Sequence, residues 1–247
     1  TQYPDVKFIL IDGEPHDAES NYATAENTMA VLYEEDQAGF LAGYAAVKDG
    51  YTKLGFMGGM ALPAVIRYGY GYLAGADYAA KELGVDVDVT YTYTGSFEAT
   101  PEAQSMATGW YQAGTEVIFA CGGSVGNSVM AAAEASDNAK VIGVDVDQSS
   151  ESDTVITSAM KMLSNSVYDA IKAAYDGSFP GGKTTVFDAA NDGVGIAMDT
   201  AKFNTFSQAD YDEVFAKLVA GEITIDNDVE KEVSDLELSN VTVNYVQ

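Results

Sequence analysis

One cysteine, one histidine and one tryptophan stand among 247 residues. A single cysteine excludes an internal disulfide and a cysteine-rich metal site. Cys121 follows the apolar run 116–120 and precedes Gly122-Gly123, with no histidine or lysine near it in sequence to stabilise a thiolate. It reads as a small buried packing residue. His16 lies in a loop with Glu14, Asp17 and Glu19; without a second histidine a zinc site is disfavoured, and it reads as an ordinary loop residue. Basic residues are also scarce, 12 Lys and Arg against 38 Asp and Glu, for a formal charge of -26. That charge repels phosphate backbones and anionic lipid, so nucleic acid is not an expected partner. We read it as a solvated acidic surface rather than as steering of a cationic ligand. No apolar run approaches the length needed to span a bilayer.

Catalytic patterns are missing too. There is no Gly-x-Ser-x-Gly elbow, no histidine base beside a nucleophile and no metal-ligand spacing. Glu34-Glu35-Asp36 reads as a solvated run, and Asp145 and Asp147 lie too close along one segment to flank a scissile bond from different elements. The chain is therefore not expected to be an enzyme, and no catalytic residue, cofactor or metal is assigned.

What the chain does have is short apolar runs alternating with helical stretches, the pattern of parallel sheets flanked by helices. Strands are expected at residues 7–11, 29–32, 54–57, 88–93, 117–120, 141–144 and 155–157. Helices are expected at 37–48, 64–83, 101–112, 126–135, 164–175 and 208–219, several opened by Pro or Ser/Thr. Beyond Gly221 the chain turns acidic and poor in apolar residues, then alternates over 241–246 as an edge strand would.

The run Val141-Ile142-Gly143-Val144-Asp145-Val146-Asp147-Gln148 reads as a buried parallel strand delivering carboxylates to the carboxyl edge of a sheet, where open α/β sheets bind ligands. Asp145 with Lys161, a short loop later, suits a ribose or another polyol, since the carboxylate accepts from hydroxyls and the ammonium donates. On spacing alone, a strand-end cap for Asp145 and a solvated Lys161 are the better reading. Gly122-Gly123-Ser124-Val125-Gly126, between a strand and a helix, has neither dinucleotide-loop spacing nor a Walker lysine. It reads as a tight turn, there either for helix packing or to let a ligand approach the main chain. Met60, Pro63 and Arg67 follow the strand at 54–57 and line a cleft or hinge, or simply pack. Asp12 ends the first strand and could point to the same cleft.

Beyond these readings, the order of Gly39-Phe40-Leu41-Ala42-Gly43, Lys53-Leu54-Gly55-Phe56-Met57-Gly58-Gly59, Tyr70-Gly71-Tyr72-Leu73-Ala74-Gly75, Val141 to Gln148 and Thr157-Ser158-Ala159-Met160-Lys161 resembles the basic membrane protein family. Its members are substrate-binding lipoproteins of bacterial ABC importers, among them purine nucleoside receptors. The resemblance implies a type I periplasmic-binding fold, two lobes each with a parallel sheet flanked by helices. Residues 1–52 with a return segment at about 159–183 would form the first lobe and 53–158 the second; residues 184–247 would add further strands, a helix and the acidic tail. It implies a purine nucleoside ligand, with Phe97 stacked on the base, Gly123 in main-chain contact, and Asp145 and Lys161 on the ribose hydroxyls. Met60 and Asp12 are weaker candidates.

Family members carry two further strand-helix units ahead of the point where this chain opens, so the first lobe is expected to be incomplete and the chain to be a fragment of a longer protein. The implied partners are an ABC permease and, through a lipid anchor outside this chain, the cell membrane. The implied location is extracytoplasmic. A sensory or regulatory ligand-binding domain, or a sugar-binding protein of the same fold, is the alternative.

Overall fold

The computed structural model describes residues 3–246. The chain divides into two compact units: unit 1 holds the residues up to Glu34 and Lys161–Val194, and unit 2 holds Glu35–Met160 and the residues from Gly195 on.

Unit 1 is built on a three-stranded parallel sheet in the order β1 (Phe8–Ile11), β2 (Thr28–Tyr33), β8 (Lys183–Phe187), with Phe8 opposite Thr28 and Met29 opposite Lys183. Its helix, α5 (Leu163–Tyr175), is fixed to β2 by the buried Tyr33 phenol, 2.6 Å from Ser166 Oγ. β1 is an edge strand, and Phe8, Leu10 and Ile11 are each more than one-third exposed. β8 escapes the sequence reading because Lys-Thr-Thr-Val-Phe is mostly polar and largely solvent-facing, so no apolar run marks it.

Unit 2 carries a seven-stranded sheet. Its order is β10 (Val241–Tyr245), β4 (Val87–Tyr93), β3 (Lys53–Gly58), β5 (Val117–Cys121), β6 (Lys140–Asp145), β7 (Val155–Lys161), β9 (Val194–Ile196). The pairings from β10 through β7 are parallel, and β7 and β9 reach just into unit 1. Side chains alternate across a strand, and the register sorts them into two layers. Phe56 lies opposite both Tyr91 and Phe119, and the three rings meet at 4.4 and 5.5 Å between centroids. The neighbouring residues Met57, Ile118 and Ala120 point the other way, into a cluster with Ala107, Trp110 and Val129 from α3 (Pro101–Gln112) and α4 (Val125–Glu134).

Over the aromatic layer lies α2 (Pro63–Leu83), with Pro63 in its first turn and Gly84 in left-handed geometry at its end, as helix start and stop chemistry expects. Tyr68 and Tyr72 of α2 pack on Phe119. On α2 sits α1 (Glu35–Lys48), with almost no space between the backbones. A methyl group at Gly39 or Gly43 would fall about 2 Å from the carbonyl oxygen of Tyr68 or Tyr72; at Gly71 or Gly75 it would meet the carbonyl of Asp36 or Phe40 as closely. This reciprocal fit explains why unit 1 ends at Glu34 and not at the boundary of 52 expected from sequence. The helix is bound to α2, while residues 183–194 stay with unit 1 through the β2–β8 pairing.

Two acids expected in a solvated run are buried. Glu35 and Asp36 are 1% and 4% exposed at the start of α1, and Arg67 Nε donates to Glu35 Oε2 at 2.7 Å. Carboxylates in the first turn of a helix are favoured by its dipole, and the guanidinium supplies the countercharge that burial requires. The remaining helix, α6 (Gln208–Val219), opens with a Ser207/Asp210 capping box. The acidic tail is tied down by Asp77 of α2, whose Oδ1 accepts from the amides of Ser239 and Asn240 before β10 pairs with β4.

Candidate functional site

In unit 2, strand β3 has β4 on one side and β5 on the other, so the connections leave in opposite directions. The loops at the carboxyl ends of β3 and β5 therefore open a crevice, the position at which open α/β sheets bind ligands. The chain brings four loops to this edge: Gly59 and Met60 after β3, Thr94–Phe97 after β4, Gly122–Gly123 after β5, and Asp145 at the end of β6.

Phe97 and Gly123 come together. The amide of Ser124 donates to the carbonyl of Phe97 at 3.0 Å, joining the two loops. A methyl group at Gly123 would lie 3.6 Å from Phe97 Cβ, and one at Gly59 would lie 2.5 Å from its ring. Gly123 takes φ of +55°, a conformation glycine adopts without the Cβ penalty. Two glycines thus let the loops close on a half-buried aromatic ring, and the amide of Gly59 donates to the carbonyl of Cys121 at 3.0 Å. Cys121 ends β5 and is buried, the packing position read from sequence. Met60 is 39% exposed in the adjoining loop.

Asp145 also sits in the left-handed region, φ +65°, which aspartate tolerates better than most residues. Its Oδ1 accepts a 3.2 Å hydrogen bond from the phenol of Tyr68. Burial, and then the charge of Asp145, raise the Tyr68 pKa well above its usual value, so the ring stays a neutral donor. Asp147, two residues on, is used locally: it accepts from the amide of Ser149 and the hydroxyl of Thr200. The two acids of this segment are thus distinguished by their partners. The loop between them is folded back by Gln148, whose Oε1 accepts from the amide of Val144 at 2.8 Å.

In unit 1, Lys161 is 4% exposed, which corrects the solvated lysine expected from spacing alone. Its ammonium donates to Oδ1 and Oδ2 of Asp12 at 2.8 and 2.7 Å and stands 5.8 Å from the centre of the Tyr33 ring. Asp12 ends β1 in the left-handed region, φ +64°. Within its own unit, Lys161 thus pairs with Asp12, and Asp145 accepts from Tyr68. Tyr68 was not read from sequence, since nothing separates it from the other tyrosines of α2 until the fold turns it toward β6. Among the described residues, no group of His, Cys, Asp and Glu is placed to hold a metal ion, and no helix is long and apolar enough to cross a membrane.

Two α/β units linked by three passages of the chain, each built on a sheet with parallel strands, are the architecture of the periplasmic-binding-protein fold. An ABC transporter system solute-binding protein from Conexibacter woesei shares the fold, with a TM-score of 0.71 and 26% identity over 92% of this chain and 73% of its own. Residues 1–228 match the model of the Bmp family, ABC transporter substrate-binding protein PnrA-like, and the chain belongs to that family. It is 31% identical over 216 residues to the ABC transporter nucleoside-binding protein BmpA of Lactococcus lactis, covering 80% of this chain and 58% of that protein. To basic membrane protein D of Borreliella burgdorferi it is 32% identical over 223 residues, covering 85% and 63%. The chain thus spans less than two-thirds of the length of these relatives.

Proposed function

We propose that the full-length protein is an extracytoplasmic receptor that binds a purine nucleoside and passes it to an ABC permease, held at the membrane by a lipid anchor. The observation that carries this reading is the aromatic ring of Phe97 set against Gly59 and Gly123 on the same sheet edge as Asp145. An aromatic face accepts any heteroaromatic base, the bare main chain at Gly123 lets a ligand approach, and a carboxylate accepts from sugar hydroxyls. Lys161 and, less strongly, Asp12 and Met60 are assigned to the ligand as well. The nucleoside named for the Lactococcus relative supports the choice of ligand. The carrier undergoes no chemistry with its cargo; ligand binding shifts its conformational equilibrium toward the form a permease recognises.

Isothermal titration of the full-length protein with inosine, guanosine, adenosine, uridine and ribose tests the reading. Binding of a purine nucleoside is expected, weakened tenfold or more in Phe97→Ala and in Asp145→Asn, the latter keeping a side chain that tolerates positive φ. Preference for ribose, or no heat with any of the five, would overturn it.

A further inference from the structure

The hydrogen bond from Tyr68 to Asp145 joins a buried residue in the second turn of α2 to the strained end of β6. Tyr68 is 2% exposed and its ring meets Phe119 edge-on at 5.8 Å, so the phenol oxygen is held by the packed layer beneath the sheet edge and not by a mobile loop. Asp145, by contrast, is the last residue of its strand. It pairs with Met160 of β7 and is followed by an exposed turn in which the amide of Val146 donates to the carbonyl of Val144. A carboxylate has about four lone-pair sites, and the phenol's hydrogen bond orients one of its two oxygens.

We propose that Tyr68 is a positioning residue for ligand selection: by holding Oδ1 of Asp145, it aims the carboxylate so that the site distinguishes a ribosyl hydroxyl from its absence. The inference rests on the nucleoside reading for the identity of the hydroxyl, though not for the Tyr68–Asp145 coupling itself. Binding sites gain selectivity when the polar groups that meet the ligand are held in place by neighbours and need not be ordered on binding. Tyr68 touches Asp145 and the core, and it works through the carboxylate.

The test is Tyr68→Phe in the full-length protein, a change that removes one oxygen and keeps the ring packed. Isothermal titration with inosine, 2′-deoxyinosine and 3′-deoxyinosine is expected to show about a tenfold loss for inosine. The deoxy ligand that the unsubstituted protein already disfavours should bind almost unchanged, so that discrimination falls by the same factor. In an Asp145→Asn background the Tyr68 change should have no further effect. Equal weakening toward all three ligands would mark a purely structural tyrosine and overturn the proposal, as would unchanged discrimination. A second readout needs no nucleoside. The carboxyl ¹³C chemical shift of Asp145 in the ligand-free protein at pH 7 should move in Tyr68→Phe, because the phenol's hydrogen bond to Oδ1 is lost; an unmoved resonance sinks the coupling. If the unsubstituted protein binds no nucleoside while that resonance moves, the nucleoside reading fails and the positioning role stands for another hydroxylated ligand.

Discussion

Lys161 gives two of its ammonium protons to the two carboxylate oxygens of Asp12, one at the end of β7 and the other at the end of β1. The lysine side chain is 3% exposed and the aspartate 43%, so the cation is the buried member of the pair. Leaving a buried charge without its counter-ion costs about 3–5 kcal/mol when both partners are enclosed. With Asp12 open to water, we expect Asp12→Asn, which keeps the left-handed backbone, to lose about 2 kcal/mol in urea unfolding. Adding Lys161→Met should recover most of that loss. A loss below about 0.5 kcal/mol would mean that water screens the pair.

The contact of α1 with α2 makes a sharper prediction. At Gly43 a β-carbon would stand 2.1 Å from the Tyr72 carbonyl oxygen, a backbone atom that cannot rotate away. Gly43→Ala gains helix propensity, about 1 kcal/mol in favour of the variant, yet must separate two buried helices. We expect a net loss of about 2 kcal/mol or more, seen as a lowered urea midpoint. Gly109, in an exposed stretch of α3 where a β-carbon meets nothing within 4 Å, supplies the control. Gly109→Ala should be neutral or stabilising.

Tyr72 differs from its neighbour Tyr68. Its ring is enclosed by Phe56 and Phe119, and its hydroxyl meets no hydrogen-bond partner among the described residues. Burial pushes its pKa upward, so the group remains a neutral, unsatisfied phenol. Removing such a hydroxyl relieves a desolvation cost of about 1–3 kcal/mol against a small cavity. Tyr72→Phe should therefore hold or raise the urea midpoint, and a clear fall would show that the hydroxyl is satisfied.

Asp77 links stability to pH. Burial pushes its carboxyl up, but the Lys81 ammonium and the amides of Asn240 and Ser239 outweigh that and leave it below its ordinary 3.8. A carboxyl depressed in the folded state contributes stability above its unfolded pKa and loses it as the pH falls through the folded value. Asp77→Asn should be less stable than the natural chain at pH 7. The difference should hold down to about pH 4 and shrink below it, read from urea unfolding at successive pH values. A difference that persists unchanged well below pH 3 would assign the effect to the tail contacts alone.

Much of the fold was legible because local chemistry and tertiary demand agree. α3 and α6 run over the expected residues, since Thr100-Pro101 and the Ser207/Asp210 capping box announce their starts. β3, β5 and β6 are enclosed on both faces, which is why each reads as an apolar run. β8 and β9 were not delimited, one because it is polar and exposed, the other because three residues carry no period. Phe97, Gly123 and Asp145, candidates from motif order, lie at or after the carboxyl ends of β4, β5 and β6, at one edge of the sheet.

The α/β class and the family could be read from the chain alone, because strand runs, capping residues and motif order are local properties. Only the tertiary structure decided who partners whom. Lys161 turns to Asp12, Asp145 to Tyr68 and Glu35 to Arg67, although 149, 77 and 32 positions separate the members of these pairs along the chain. Such pairings depend on which strand ends and helix turns the sheet order brings together, and no spacing in the sequence encodes them.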